Sequence, residues 1–202
     1  MKKTRILIIT LLFASVKLFA QDENELSRHK TVNEFVSELI SKKIDTICDY
    51  EVFTEKTDAM YTQYVFWKEN GKTNIKKLEL ENNYPIIETN AEEIWNYLLQ
   101  NNDAIKNEDV KTFSISENIN GQNQVQTIIS QGNHFREFNL YLVGNITKFW
   151  TSSFDFQKNE RFDRKKFDNV YFEHNNNLKG KLVLDKFEDF LKKLEKERVF
   201  KK

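Results

Sequence analysis

Apolar residues recur along this chain with two periods, and the periods divide it into helices and strands. From Thr31 to Ile47, the residues Val32, Val36, Leu39, Ile40, Ile44 and Ile47 fall on one broad helical face, and Thr31 with Glu34 has the spacing of a capping box. The stretch from Asn90 to Gln100 repeats the arrangement, with Asn90 as cap, Glu93 three residues on, and Ile94, Trp95, Leu98 and Leu99 as the apolar stripe. A third helix is expected from Asp185 to Val199, where Phe187, Phe190, Leu191 and Leu194 share a face behind Asp185 and Glu188. Each helix has one dry side, so each must pack on another element.

The remaining runs have the period of strands. Asn70-Gly71 is the strongest hairpin signal, because a tight type I′ turn needs positive φ at both central residues. With those two residues as the loop, Glu69 pairs with Lys72. Tyr61, Val65 and Trp67 then share a face with Leu78 and Leu80, while Tyr64, Phe66 and Ile75 point to the other. Asn120-Gly121, Gly132-Asn133 and Gly144-Asn145 separate further apolar runs, and Gly180 precedes a short run, Leu182 to Leu184, that reads as a last strand. Every glycine is thus assigned to a turn or a strand start.

The order helix, strands, helix, strands, helix predicts an α+β fold, an antiparallel sheet of meandering hairpins packed with about three helices. Two helix-plus-meander halves, 31–88 and 90–156, followed by a C-terminal strand and helix, are one way to divide it. No linker rich in Pro, Gly or Ser is visible, so residues 31–202 read as a single domain.

The N-terminus changes the expected address. Lys2, Lys3 and Arg5 precede an apolar run from Ile6 to Val16, and Ala20 precedes the polar stretch Gln21-Asp22-Glu23. This is the layout of a signal peptide over residues 1–20, followed by a polar segment at 21–30, and it points to a periplasmic or secreted protein. The run is too short to span a bilayer, so no transmembrane span is expected after processing.

Cleavage would also change the charge. The 31 basic and 31 acidic side chains of the whole chain balance, but residues 1–20 hold Lys2, Lys3, Arg5 and Lys17 and no acid, so the remainder is mildly acidic. Such a balance argues against a nucleic-acid partner. The single cysteine, Cys48, cannot form an internal disulfide and is expected to be buried. From Lys186 onward the C-terminal helix is rich in Lys and Arg, yet it mixes both signs in the manner of a solvated helix face and not of a lipid-binding one.

The motif search mostly removes chemistries. The glycines leave no dinucleotide fingerprint or P-loop, and no His-Glu-x-x-His, paired-Cys or Gly-x-Ser-x-Gly signature occurs. The segment 116–127 has Asn118, Asn120 and Gly121 at calcium-loop spacing, but Ser116 and Thr127 stand where carboxylates are required. No metal or cofactor is implied.

Three residues remain as weak catalytic candidates, His134, Arg136 and Glu137, the first two on one face of a strand and able to bind an anion. His174, beside Glu173, reads as part of a solvated turn. The aromatics carry a second signal. Trp67, Trp95, Trp150, Phe154 and Phe156 fit either a core or a stacking surface, whereas Tyr64, Phe66 and Ile75 form a face that is either covered by a helix or open to a partner. The leading expectation is an exported binding or interaction protein without catalytic activity that uses an aromatic sheet face for a protein or small ligand. The alternatives are a periplasmic carrier of an apolar ligand and an enzyme with dispersed residues around His134 and Arg136.

Overall fold

The computed structural model describes residues 31–54, 62–79, 82–130, 134–162 and 164–201. The expected signal peptide, the turn at Gly132-Asn133 and the positions of Tyr61 and Leu80 lie outside them. Residues 1–42 and 43–202 form separate units. In the first, residues 31–41 are helical (α1), and Val32, Val36 and Leu39 are buried at helical spacing. This helix stops well before Ile47. Lys43 adopts φ 63°, a left-handed conformation that ends a helix, and Ile47 belongs to the first strand.

The second unit is an α+β fold. Its strands are β1 (Thr46–Thr54), β2 (Thr62–Glu69), β3 (Lys72–Glu79), β4 (Asn82–Asn83), β5 (Ile87–Thr89), β6 (Ser114–Ile119), β7 (Gln122–Thr127), β8 (His134–Leu142), β9 (Asn145–Ser152), β10 (Asn159–Phe162) and β11 (Lys165–Asp168). The helices are α2 (Glu92–Lys106), α3 (Phe172–Asn176) and α4 (Lys179–Lys196), with a 3-10 turn at Ser153–Phe156. A seven-stranded sheet has the order β4-β3-β2-β1-β8-β9, and β5 also pairs with β3. Every recorded pairing is antiparallel. The long pairing of β1 with β8 joins the early and late strands into one sheet.

The β2–β3 hairpin has the expected register, Glu69 opposite Lys72, with Asn70 at φ 53° and Gly71 at φ 76°. Asn120 and Gly121 form the same kind of turn, but β6 and β7 make a separate two-stranded sheet. The turn before β9 lies one residue earlier than expected. Leu142 pairs with Asn145, so Val143 and Gly144 form the loop.

Helices α2 and α4 cover one face of the main sheet, here called the first face. Ile94, Trp95, Leu98 and Ile105 of α2 and Val183, Leu184, Phe187, Leu191 and Leu194 of α4 join Cys48, Tyr50, Phe66, Ile75, Phe138, Leu140 and Phe149 in one core. Phe187 is central to it, with its ring 4.8 Å from Phe66 and stacked on Tyr50 at 5.2 Å. Cys48 is a buried free thiol, and burial pushes its pKa up. Two polar contacts fix α2 laterally: Trp95 Nε1 donates to Thr73 Oγ1 at 3.1 Å, and Thr147 Oγ1 donates to Asn102 Oδ1 at 2.6 Å.

The expected strand at Leu182–Leu184 is the first part of α4, which begins at Lys179 and not at Asp185. A three-residue apolar run has too little length to carry a period, and Val183 and Leu184 are buried as helical neighbours. Gly180 is therefore not a turn residue. It lies in the first turn of α4 directly against Phe149, and a Cβ at this position would run into that ring.

Candidate functional site on the second face of the sheet

Strand alternation decides what each face carries. On β1, Cys48, Tyr50 and Val52 point to the helices, and Ile47, Asp49, Glu51 and Phe53 point to the second face. The pairing of β1 with β8 and of β8 with β9 extends these positions into rows. One row runs Gln63, Glu51, Glu137, Trp150, and the next places Phe53 beside Phe135.

Carboxylates directly opposite each other destabilise a sheet unless something holds them, and Glu51 faces Glu137 across the β1–β8 pair. Amides do the holding. Gln63 Nε2 donates to Glu51 Oε2 at 3.1 Å, and Asn139 Nδ2 donates both to Glu137 Oε1 at 3.0 Å and to Asp49 Oδ1 at 2.8 Å. Asp49 also accepts from the Asn139 backbone N–H at 3.1 Å and from Tyr141 Oη at 2.9 Å. Burial lifts the Asp49 carboxyl to about 6; the Asn139 and Tyr141 hydrogen bonds oppose the shift, and the charges of Glu51 and Glu137 add to it. At only 5% exposed, and with both oxygens already accepting hydrogen bonds, Asp49 is closed off from a substrate by burial.

Beside this polar patch the same face carries rings. Phe53 and Phe135 stack with centroids 5.0 Å apart and planes at 14°, and Phe135 meets Trp150 at 5.7 Å. Trp150 ends the row on β9 and is 57% exposed, with exposed Ile146 and Lys148 on the same strand and face. The result is an aromatic shelf bordered by the Glu137 carboxylate, able to stack against a flat or apolar group while the acid accepts hydrogen bonds. Trp67 and Trp95, by contrast, are buried.

Tyr64, Phe66 and Ile75 do share a face, but it is the helix-covered one. Phe66 and Ile75 have no exposure and Tyr64 has 6%, with Phe200 packed against its ring, so these residues are core and present no open patch. His134 and Arg136 also share that face, and Glu137 points to the opposite one, so the three weak catalytic candidates do not converge. His134 is exposed and meets Thr54 Oγ1 through Nδ1 at 2.8 Å. Arg136 donates to Asp185 Oδ1 at 3.0 Å and Glu188 Oε2 at 2.7 Å, which commits its charge to anchoring α4. His174 lies in α3, where its Nε2 meets the Asp109 carbonyl at 2.9 Å.

Phe53 and Phe135 escaped sequence reasoning because they are 82 positions apart in number and become neighbours only through the β1–β8 register. The one local signal was parity: Phe53 stands two and four residues after Glu51 and Asp49, and Phe135 two before Glu137. Phe154, read as part of the strand that holds Trp150, sits instead in the 3-10 turn and stacks on Phe113 at 4.5 Å in a small separate core with Ile115.

Among the described residues no three of His, Cys, Asp and Glu are arranged to hold a metal ion, and no helix is long and apolar enough to cross a membrane. Comparison with protein-family models, curated proteins and solved structures finds no match to this chain.

Proposed function

We propose that this chain is an exported binding protein that engages a protein or small-molecule partner through an aromatic sheet face. The observation that carries the reading is the exposure of Trp150 at the end of the Phe53, Phe135 and Trp150 ring cluster, next to Glu137. A tryptophan held over other rings and left in water is a costly arrangement for a solitary fold and a useful one for recognition, since it supplies apolar area with little loss of side-chain freedom. Export is supported by the layout of residues 1–20. A catalytic role has less to stand on, because Arg136 is committed to α4 and Asp49 is closed off by burial.

The test is a binding screen of the purified protein against arrays of glycans and peptides, repeated with Trp150→Ala. The expected result is at least one ligand whose binding disappears in the variant while thermal unfolding is unchanged. Ligands that bind equally well to both proteins, or none at all, would remove the shelf as the site. Determining the mature N-terminus tests export: a soluble cytoplasmic product that keeps Met1 overturns it.

A further inference from the structure

The two edges of the main sheet are built differently. The β3 edge is occupied by two short strands, β4 and β5, of two and three residues. The other edge is β9, eight residues long, without proline, paired to β8 in unbroken register from Phe135↔Ser152 to Leu142↔Asn145, and paired to no further strand among the described residues. Natural proteins protect a long free edge with charges, bulges or proline, and the sole charged residue of β9 is Lys148. In an antiparallel ladder the hydrogen-bonding direction alternates. With Leu142 and Asn145 closing the hairpin, the N–H and C=O groups of Ile146, Lys148, Trp150 and Ser152 point outward from the sheet.

We infer that β9 pairs with β9 of a second copy of this chain, antiparallel and centred on Phe149, joining two sheets into one across a two-fold axis. This register sets Lys148 opposite Trp150 of the second copy with the outward groups of both in the ladder, and the pairing ends before Ser152, which is buried where the chain enters the 3-10 turn. Shifting the pairing by one step in one direction opposes Lys148 to Lys148, which the charges disfavour; shifting it the other way shortens the ladder. In the centred register each ammonium lies against an indole that has Glu137 on its far side, a ring flanked by a cation and a carboxylate. An isologous contact of this type closes at two copies and consumes both open edges. The pairing does not rest on the binding reading above, because it uses the strand edge and not the outer surface of the rings; in the dimer the second copy's Lys148 borders each Trp150, and the two shelves lie on one face.

Sedimentation velocity over a concentration series tests the inference on the purified protein. The expected result is a reversible dimer whose association weakens at least about tenfold in Lys148→Glu, which replaces the cation against the indole with an anion, and survives in Lys148→Arg. Trp150→Lys, which opposes two cations, should weaken it similarly. Lys148 is exposed, so thermal unfolding of its variants should match the parent at concentrations where the parent is monomeric. A protein that stays monomeric throughout, a dimer indifferent to Lys148→Glu, or one lost equally in Lys148→Arg would overturn the pairing. A dimer with the expected charge dependence but no array ligand leaves this inference standing and removes only the binding reading.

Discussion

The two faces of the main sheet are made by alternate residues of the same strands, and they differ in kind. The first face is a helix-covered core in which Phe66, Ile75, Phe138, Leu140 and Leu98 are wholly buried. The second carries buried apolar residues toward β2 (Ile47, Val65 and Trp67), buried carboxylates held by amides across β1 and β8, and, toward β9, rings that reach water. Apolar packing is nondirectional and tolerates any well-filled arrangement, whereas the polar cluster depends on specific donors meeting specific oxygens. Stability should therefore depend mainly on the first face, and sensitivity to pH on the second.

The largest effect should follow from emptying the first face. Phe66→Ala should lower unfolding free energy by about 3–5 kcal/mol, measured by denaturant titration, because the cavity opens beside Phe187 at the centre of the core. A loss under about 1 kcal/mol would place the stabilising core elsewhere.

The second face should show itself through Asp49. Its folded pKa of about 6 lies above the ordinary value of 3.8, so the native state binds the extra proton. Stability from this group is greatest below the unfolded pKa and falls as pH rises from about 4 to 6, by up to about 3 kcal/mol, then levels off. Asp49→Asn keeps an acceptor for Asn139 and a polar partner for Tyr141 while removing the charge. The expected outcome is loss of that pH slope, with the variant at least as stable as the parent at pH 8; an unchanged slope would assign the pH dependence to other groups.

Smaller effects sharpen the contrast. Gly180→Ala places a methyl group against Phe149 on the first face and should cost about 1–3 kcal/mol in thermal or chemical unfolding, despite alanine's better helix propensity. Trp150→Ala on the open end of the second face should change stability by no more than about 0.5 kcal/mol. It should also remove most of the tryptophan fluorescence that a water-soluble quencher reaches, since Trp67 and Trp95 are buried; quenching that persists would contradict the exposed indole.

Much of the architecture follows from local pattern. Helical spacing around Ile94, Trp95 and Leu98, positive φ at Asn70-Gly71 and Asn120-Gly121, and alternation through Tyr64, Val65, Phe66 and Trp67 are properties of adjacent residues. They suffice for an α+β fold with an antiparallel sheet and for the β2–β3 register. Where local signals were ambiguous they misled. Ile44 and Ile47 extend a helical stripe across the Lys43 break, and Leu182–Leu184 is too short to distinguish strand from helix.

The sequence by itself determined which residues share a face of a strand, since side-chain direction is set by backbone geometry one residue at a time. Thus Tyr64, Phe66 and Ile75 were correctly grouped, as were His134 and Arg136. Only the tertiary structure decided which face lay under α2 and α4 and which strands met. Pairing β1 with β8 brings Phe53 to Phe135 and Glu51 to Glu137, contacts between residues more than eighty positions apart that no periodicity encodes. The same choice turned the expected aromatic patch into core and left Trp150 in water, because burial depends on what covers a face and not on the residues that compose it.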